Sequence, residues 1–107
     1  MAERYHQMVV YVPATHVEEV KAALFGGGAG RLGNYECCCW QTVGTGQFRP
    51  LAGSSPAIGC QGIVESVAEV KLEVICPEAA LPAVIAGLRQ AHPYETPAFM
   101  HWPVSLD

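Results

Sequence analysis

Three short stretches of this 107-residue chain hold side chains able to do chemistry. His92-Pro93-Tyr94-Glu95 places an imidazole and a carboxylate three positions apart, a pair that can hold a divalent cation or a polar ligand. A local role suits the same residues. His92 would close a helix, where the dipole favours it, and Pro93 would enforce the exit. Tyr94 would then pack, and Glu95 would take a backbone N–H or pair with Arg49. Both readings stand on sequence alone. Cys37-Cys38-Cys39 offers soft ligands, with copper(I) the metal that thiolates favour. If the three lie on a strand, Cys37 and Cys39 face one way and Cys38 the other, so they cannot converge on one ion. Buried, apolar-like thiols are the plain alternative. Gly44-Thr45-Gly46 is weak as a phosphate cradle, because no helix is predicted to open after it. Arg49, the cation of the same stretch, could bind an anion or anchor its loop on a carboxylate. His6, His16 and His101 show no ligand spacing, and no nucleophile–base order is recognisable.

Composition narrows the classes. The formal net charge is -4, with six Lys plus Arg, so the basic stripe that nucleic acid requires is missing. No apolar run approaches the roughly 20 residues of a membrane span. The N-terminal Met1-Ala2-Glu3-Arg4-Tyr5-His6 lacks the apolar stretch of a secretory signal, and a cytoplasmic protein is expected. Five cysteines, three of them consecutive and none in a C-x-x-C pair, read as free thiols. At this length a single domain over residues 1–107 is expected.

The elements that must position these groups follow from periodicity. A first strand covers about Tyr5 to Val12. A helix opens at Thr15, where Glu18 three residues on suggests a capping box, and Val17, Val20 and Leu24 form its buried stripe. Gly26-Gly27-Gly28 ends it. A second strand is read at about Gly33 to Val43, and a third at about Ala68 to Cys76, where apolar and charged residues alternate. A second helix runs from about Glu78 to Ala91, with Pro82 in its first turn and Leu81, Ile85 and Leu88 facing inward. A last strand spans about Ala98 to Val104. This βαββαβ order predicts an α+β, ferredoxin-like sandwich: an antiparallel four-stranded sheet with two helices on one face. Met8, Val10 and Val12 point to one side of the first strand, but Val9 and Tyr11 are apolar on the other. A second chain is the simplest cover for that side, and an oligomer is expected. The Gly44–Ser66 stretch is long for a loop. It carries Phe48, Leu51, Ile58 and Ile63, so it should pack on itself or on a neighbour.

Four motifs in order carry a resemblance: Gly28-Ala29-Gly30-Arg31-Leu32-Gly33-Asn34-Tyr35, Thr42-Val43-Gly44-Thr45-Gly46-Gln47-Phe48-Arg49-Pro50, Pro56-Ala57-Ile58-Gly59, and His92-Pro93-Tyr94-Glu95-Thr96-Pro97. Over about Met8 to Pro103 the chain resembles the insert domain of YqfO-type proteins in the NIF-three-like (NGG-interacting factor) family. The last motif also resembles CutA, a divalent-cation-tolerance protein. The resemblance implies a CutA/PII-like fold and a homotrimer. It matches Cys38 to the family's usual cysteine, with Cys37 and Cys39 extra. The family's dimetal ligands lie in flanking halves without counterparts in this sequence, so the resemblance implies a binding or regulatory module rather than a hydrolase. The candidate ligand-binding residues are Tyr35, Phe48, Arg49, Tyr94 and Glu95. The candidate metal ligands are His92, Glu95 and Cys38, for a divalent ion or copper. The alternative is a protein-interaction module without a small ligand.

Overall fold

The computed structural model describes residues 3–107. Strand β1 (Tyr5–Pro13) leads through a 3-10 turn (Ala14–His16) into helix α1 (Val17–Gly27). Strands β2 (Trp40–Phe48) and β3 (Glu65–Pro77) form a hairpin arm. A second 3-10 turn (Glu78–Ala80) precedes helix α2 (Leu81–Ala91), and strand β4 (Phe99–Val104) closes the sheet. The strand order is β2-β3-β1-β4, antiparallel throughout. This is the ferredoxin-like α+β arrangement expected from the element order.

One sheet face packs against the helices. Met8, Val10 and Val12 of β1 and Leu72 and Val74 of β3 meet Val20 and Leu24 of α1 and Val84 and Leu88 of α2, all buried. The helices approach closely because Gly27 has no side chain: a Cβ there would stand 2.9 Å from the Val84 Cα. Gly28 ends α1 in the left-handed region (φ 114°). Its N–H reaches the Phe25 carbonyl, and the Ala29 N–H reaches that of Leu24, a Schellman closure. Pro82 sits in the first turn of α2 as expected.

Three local expectations are corrected. The Thr15–Glu18 capping box does not form, because Pro13 is followed by the 3-10 turn and Thr15 lies inside it. The α1 N-cap is His16, without a side-chain cap bond. The second strand begins at Trp40 rather than Gly33. Residues 28–39 form a glycine-rich loop instead, pinned by Gly30 N–H to the Ile75 carbonyl (2.7 Å) and by Cys38 N–H to the Gly30 carbonyl (2.9 Å). Cys37 therefore lies in a loop at φ 59°, and strand alternation does not govern the three thiols. Gly44-Thr45-Gly46 belongs to β2, paired with Glu69, Ala68 and Val67, so it is an extended strand segment rather than the loop of a phosphate cradle.

The open sheet face is apolar in places. Val9 is 3% exposed there, while Trp40 (69%), Met100 (45%) and Trp102 (44%) face outward. No helix among the described residues is long and apolar enough to cross a membrane.

Candidate ligand-binding cavity

A cavity of about 270 Å³ lies where the far end of the β2–β3 arm meets β1 and the segment after α2. Small-molecule sites usually run from about 300 Å³ upward, so this one suits a small ligand. Phe48 and Gln47 come from the end of β2, Tyr11 from β1, Glu69 from β3, and Tyr94 to Thr96 from the segment after α2. The loop after β2 supplies Pro50, Ser54, Pro56, Ala57 and Ile58.

That loop folds back on itself, as its composition suggested. Gly62 N–H donates to the Pro50 carbonyl (2.7 Å), and the Ser54 hydroxyl donates to the Leu51 carbonyl (2.6 Å). The Gln61 amide donates to the Ser54 carbonyl (3.0 Å). Pro50 is buried. Each proline reduces the entropy lost on ordering this stretch.

A chain of hydrogen bonds through His92, itself outside the lining, joins three lining residues, Tyr11, Tyr94 and Glu69. His92 caps α2 and is 5% exposed. Its Nε2 lies 2.8 Å from the Tyr11 carbonyl, which can only accept, so Nε2 carries the proton. Its Nδ1 accepts the Tyr94 N–H at 3.1 Å. These two backbone partners fix a neutral imidazole. Burial lowers the His92 pKa, opposed by the Tyr11 carbonyl, which favours the protonated ring. The Tyr94 hydroxyl donates to Glu69 Oε2 at 2.9 Å. Burial, then the bond and charge of Glu69, push the Tyr94 phenol well above its ordinary value of 10.0, so it remains a donor. Phe48 meets the Tyr94 ring edge-on at 5.7 Å.

The expected site residues divide. Phe48, Tyr94 and Glu95 come together in the cavity wall. Tyr35 sits on the Leu32–Tyr35 turn, 76% exposed, and is not part of the lining. Arg49 is exposed and does not pair with Glu95 within the chain. Glu95 Oε2 instead accepts the Ser55 N–H (3.0 Å), tying the loop to the segment after α2. The three candidate metal ligands are likewise apart: both His92 nitrogens are taken, and the half-buried Cys38 thiol turns to the Glu36 carbonyl. Among the described residues no three His, Cys, Asp or Glu side chains converge as a metal site.

Sequence reasoning missed Glu69. Its signal was the Gly-x-Gly spacing of β2. Gly44 pairs with Glu69, and Gly46 lies on the same face, so both leave space above the ladder. A Cβ on Gly46 would collide with the Glu69 carboxylate. A second cluster was also missed. His6 Nδ1 lies 3.0 Å from His101 Nδ1, and His6 Nε2 lies 3.2 Å from Glu78 Oε1. The β1–β4 register makes the two histidines diagonal neighbours.

No protein-family model matches the chain. A Mycobacterium tuberculosis protein named GTP cyclohydrolase 1 type 2 homolog is 53% identical over 91 residues, covering 85% of this chain and 24% of its own length. The crystal structure of a Bacillus cereus protein related to NIF3 superposes with a TM-score of 0.84 at 40% identity, covering 99% of this chain and 27% of that one. The periplasmic divalent cation tolerance protein CutA of Archaeoglobus fulgidus shares the fold, with a TM-score of 0.67 at 15% identity over 96% of this chain and 86% of its own. The chain spans about a quarter of the length of the curated relatives it matches.

Proposed function

We propose that this homologue of a quarter-length segment of NIF3-related proteins is a non-enzymatic, oligomeric binding or regulatory module that takes a small metabolite or a metal ion at a subunit boundary. The cavity between the β2–β3 arm and the Tyr94–Ala98 segment carries this reading. It is concave, mostly apolar, and equipped with a few convergent polar groups, as small-ligand sites are. The exposed Trp40, Met100 and Trp102 support a covering second copy. The trimeric habit implied by the CutA resemblance makes a homotrimer the form proposed. We place it in the cytoplasm, as one domain, without nucleic-acid or membrane partners. A metal form of this site would draw on Glu95, with His92 contributing only by giving up the Tyr11 or the Tyr94 bond, while Cys38, on the loop held against Ile75, stands outside the lining.

A thermal-shift series against divalent metals, copper and nucleotides tests the reading, since a ligand selective for the folded state raises its apparent stability. Light scattering should give a trimer mass. A monomer would remove the subunit boundary. Metal that co-purifies substoichiometrically, and is unchanged in His92→Ala, would remove the metal form.

The same apolar sheet face favours a second reading, a protein-interaction or oligomerisation module with no small ligand. Binding of none of these compounds by a stable oligomer would select it. A hydrolase is the weakest reading, because no metal-binding group of three converges among the described residues. Manganese or zinc should elicit no nucleotide-ring opening or phosphoester hydrolysis above background.

A further inference from the structure

The cavity's chemistry goes beyond its shape. Its aromatic surfaces are Tyr11, Phe48 and Tyr94, its carboxylates are Glu69 and Glu95, and among the described residues no Lys or Arg lines it. We infer that it takes an organic ammonium ion: a protonated or quaternary amine on a small apolar body. The inference rests on the small-ligand reading of the same cavity.

Three observations carry it. First, both carboxylates lack a cation. Glu69 Oε2 is held by a neutral phenol, and Glu95 Oε2 by a backbone amide, which leaves the second oxygen of each without a side-chain donor. Lys71, two residues from Glu69 on the same sheet face, pairs with Glu73 (3.9 Å). Second, Phe48 and Tyr94 meet edge-to-face, so two ring planes are held at a steep angle (63°). Ring faces attract cations, and more strongly where water is displaced. Third, glycine at 46 keeps open the space above β2 into which the Glu69 carboxylate leans.

Alternative ligand classes fit less well. An anion would meet two carboxylates and no basic group. A hard metal ion seeks several oxygen ligands, but most of this wall is carbon. An ammonium on an apolar body satisfies both halves of the wall together.

The test uses the 107-residue protein and three probes of similar body and different charge: phenethylamine, phenethyl alcohol and hydrocinnamate, titrated by calorimetry with NMR shifts locating the site. The amine should bind about tenfold tighter than the alcohol, the difference expected of a partly desolvated cation on aromatic faces. The acid should not bind. Glu69→Gln keeps an acceptor for the Tyr94 hydroxyl and should erase most of the amine's advantage without weakening the alcohol. Glu95→Gln, at an exposed position, should do so in part, and serves if the first variant fails to fold. Equal affinity for amine and alcohol, or tighter binding of the acid, would overturn the ammonium assignment and leave a ligand cavity. Binding by none of the three would overturn the ammonium assignment, and silence in the metal and nucleotide series as well would overturn the cavity reading.

Discussion

The two faces of the sheet are built by alternate residues of the same strands, yet they follow different rules. Met8, Val10, Leu72 and Val74 on the helix face are 2% exposed or less and belong to one apolar cluster with the helices. On the open face, Tyr11 and Glu69 line a cavity, and Trp40 and Trp102 remain outside any core. Alternation along a strand thus divides labour: one parity fills the core beneath the helices, the other shapes the cavity and an exposed aromatic surface.

Substitutions can break or sharpen that division. The largest effect belongs to the helix face. Leu72→Ala should cost about 2–5 kcal/mol, the range for emptying a fully buried leucine site, seen as a lower urea midpoint. Trp40→Glu, on the open face, should leave that midpoint within about 0.5 kcal/mol, as for other exposed positions, in monomer-equivalent terms. Its effect should appear in light scattering as lost assembly. A large stability loss in an isolated monomer carrying Trp40→Glu would erase the distinction between faces.

A smaller effect is set by pH. The His92 pKa is lowered in the folded state from 6.5, chiefly by burial. The unfolded chain therefore takes up the proton first as pH falls. The stability contributed by the neutral ring is complete above about 6.5, declines below it, and is fully lost once the folded-state pKa is passed. His92→Gln, which can still donate to the Tyr11 carbonyl, should flatten the acid limb of urea midpoints below about pH 6.5. An unaltered acid limb would mean that the imidazole does not titrate with unfolding. The smallest effect is spectroscopic. In Glu69→Gln the Tyr94 phenol should titrate at lower pH than in the parent protein, because a neighbouring negative charge has gone while burial remains. Ultraviolet titration reads this directly.

The helix face was legible in the sequence, and the open face only in fragments. Val17, Val20 and Leu24 announce α1 through spacing, and the alternation from Val70 to Cys76 announces β3, because burial against helices imposes a period on the chain. The cavity imposes none. Glu69 reads as one more outward charge on an alternating strand, and its role depends on Gly46 across the ladder and Tyr94 beyond α2. Such partners are set by register, which residue types do not reveal. His6 and His101, separated by nearly the whole chain, meet for the same reason. The second strand was placed too early because Tyr35 to Trp40 suits a strand by composition. Gly30 overrides that propensity: it brings the loop onto β3, where a Cβ would stand 2.9 Å from the Cys38 carbonyl oxygen.

The edge position of β2 has a consequence for handling the protein. Trp-Gln-Thr-Val-Gly-Thr-Gly-Gln-Phe contains no charge and no proline, and one side of the strand has no neighbour in the sheet. Edge strands usually carry a lysine, a proline or a bulge that discourages another strand from adding on. Here only the opposite edge, β4, has such a guard, in Pro103. The free backbone groups of β2 can therefore accept a further strand, and high concentration favours strand addition and precipitation over a dispersed chain.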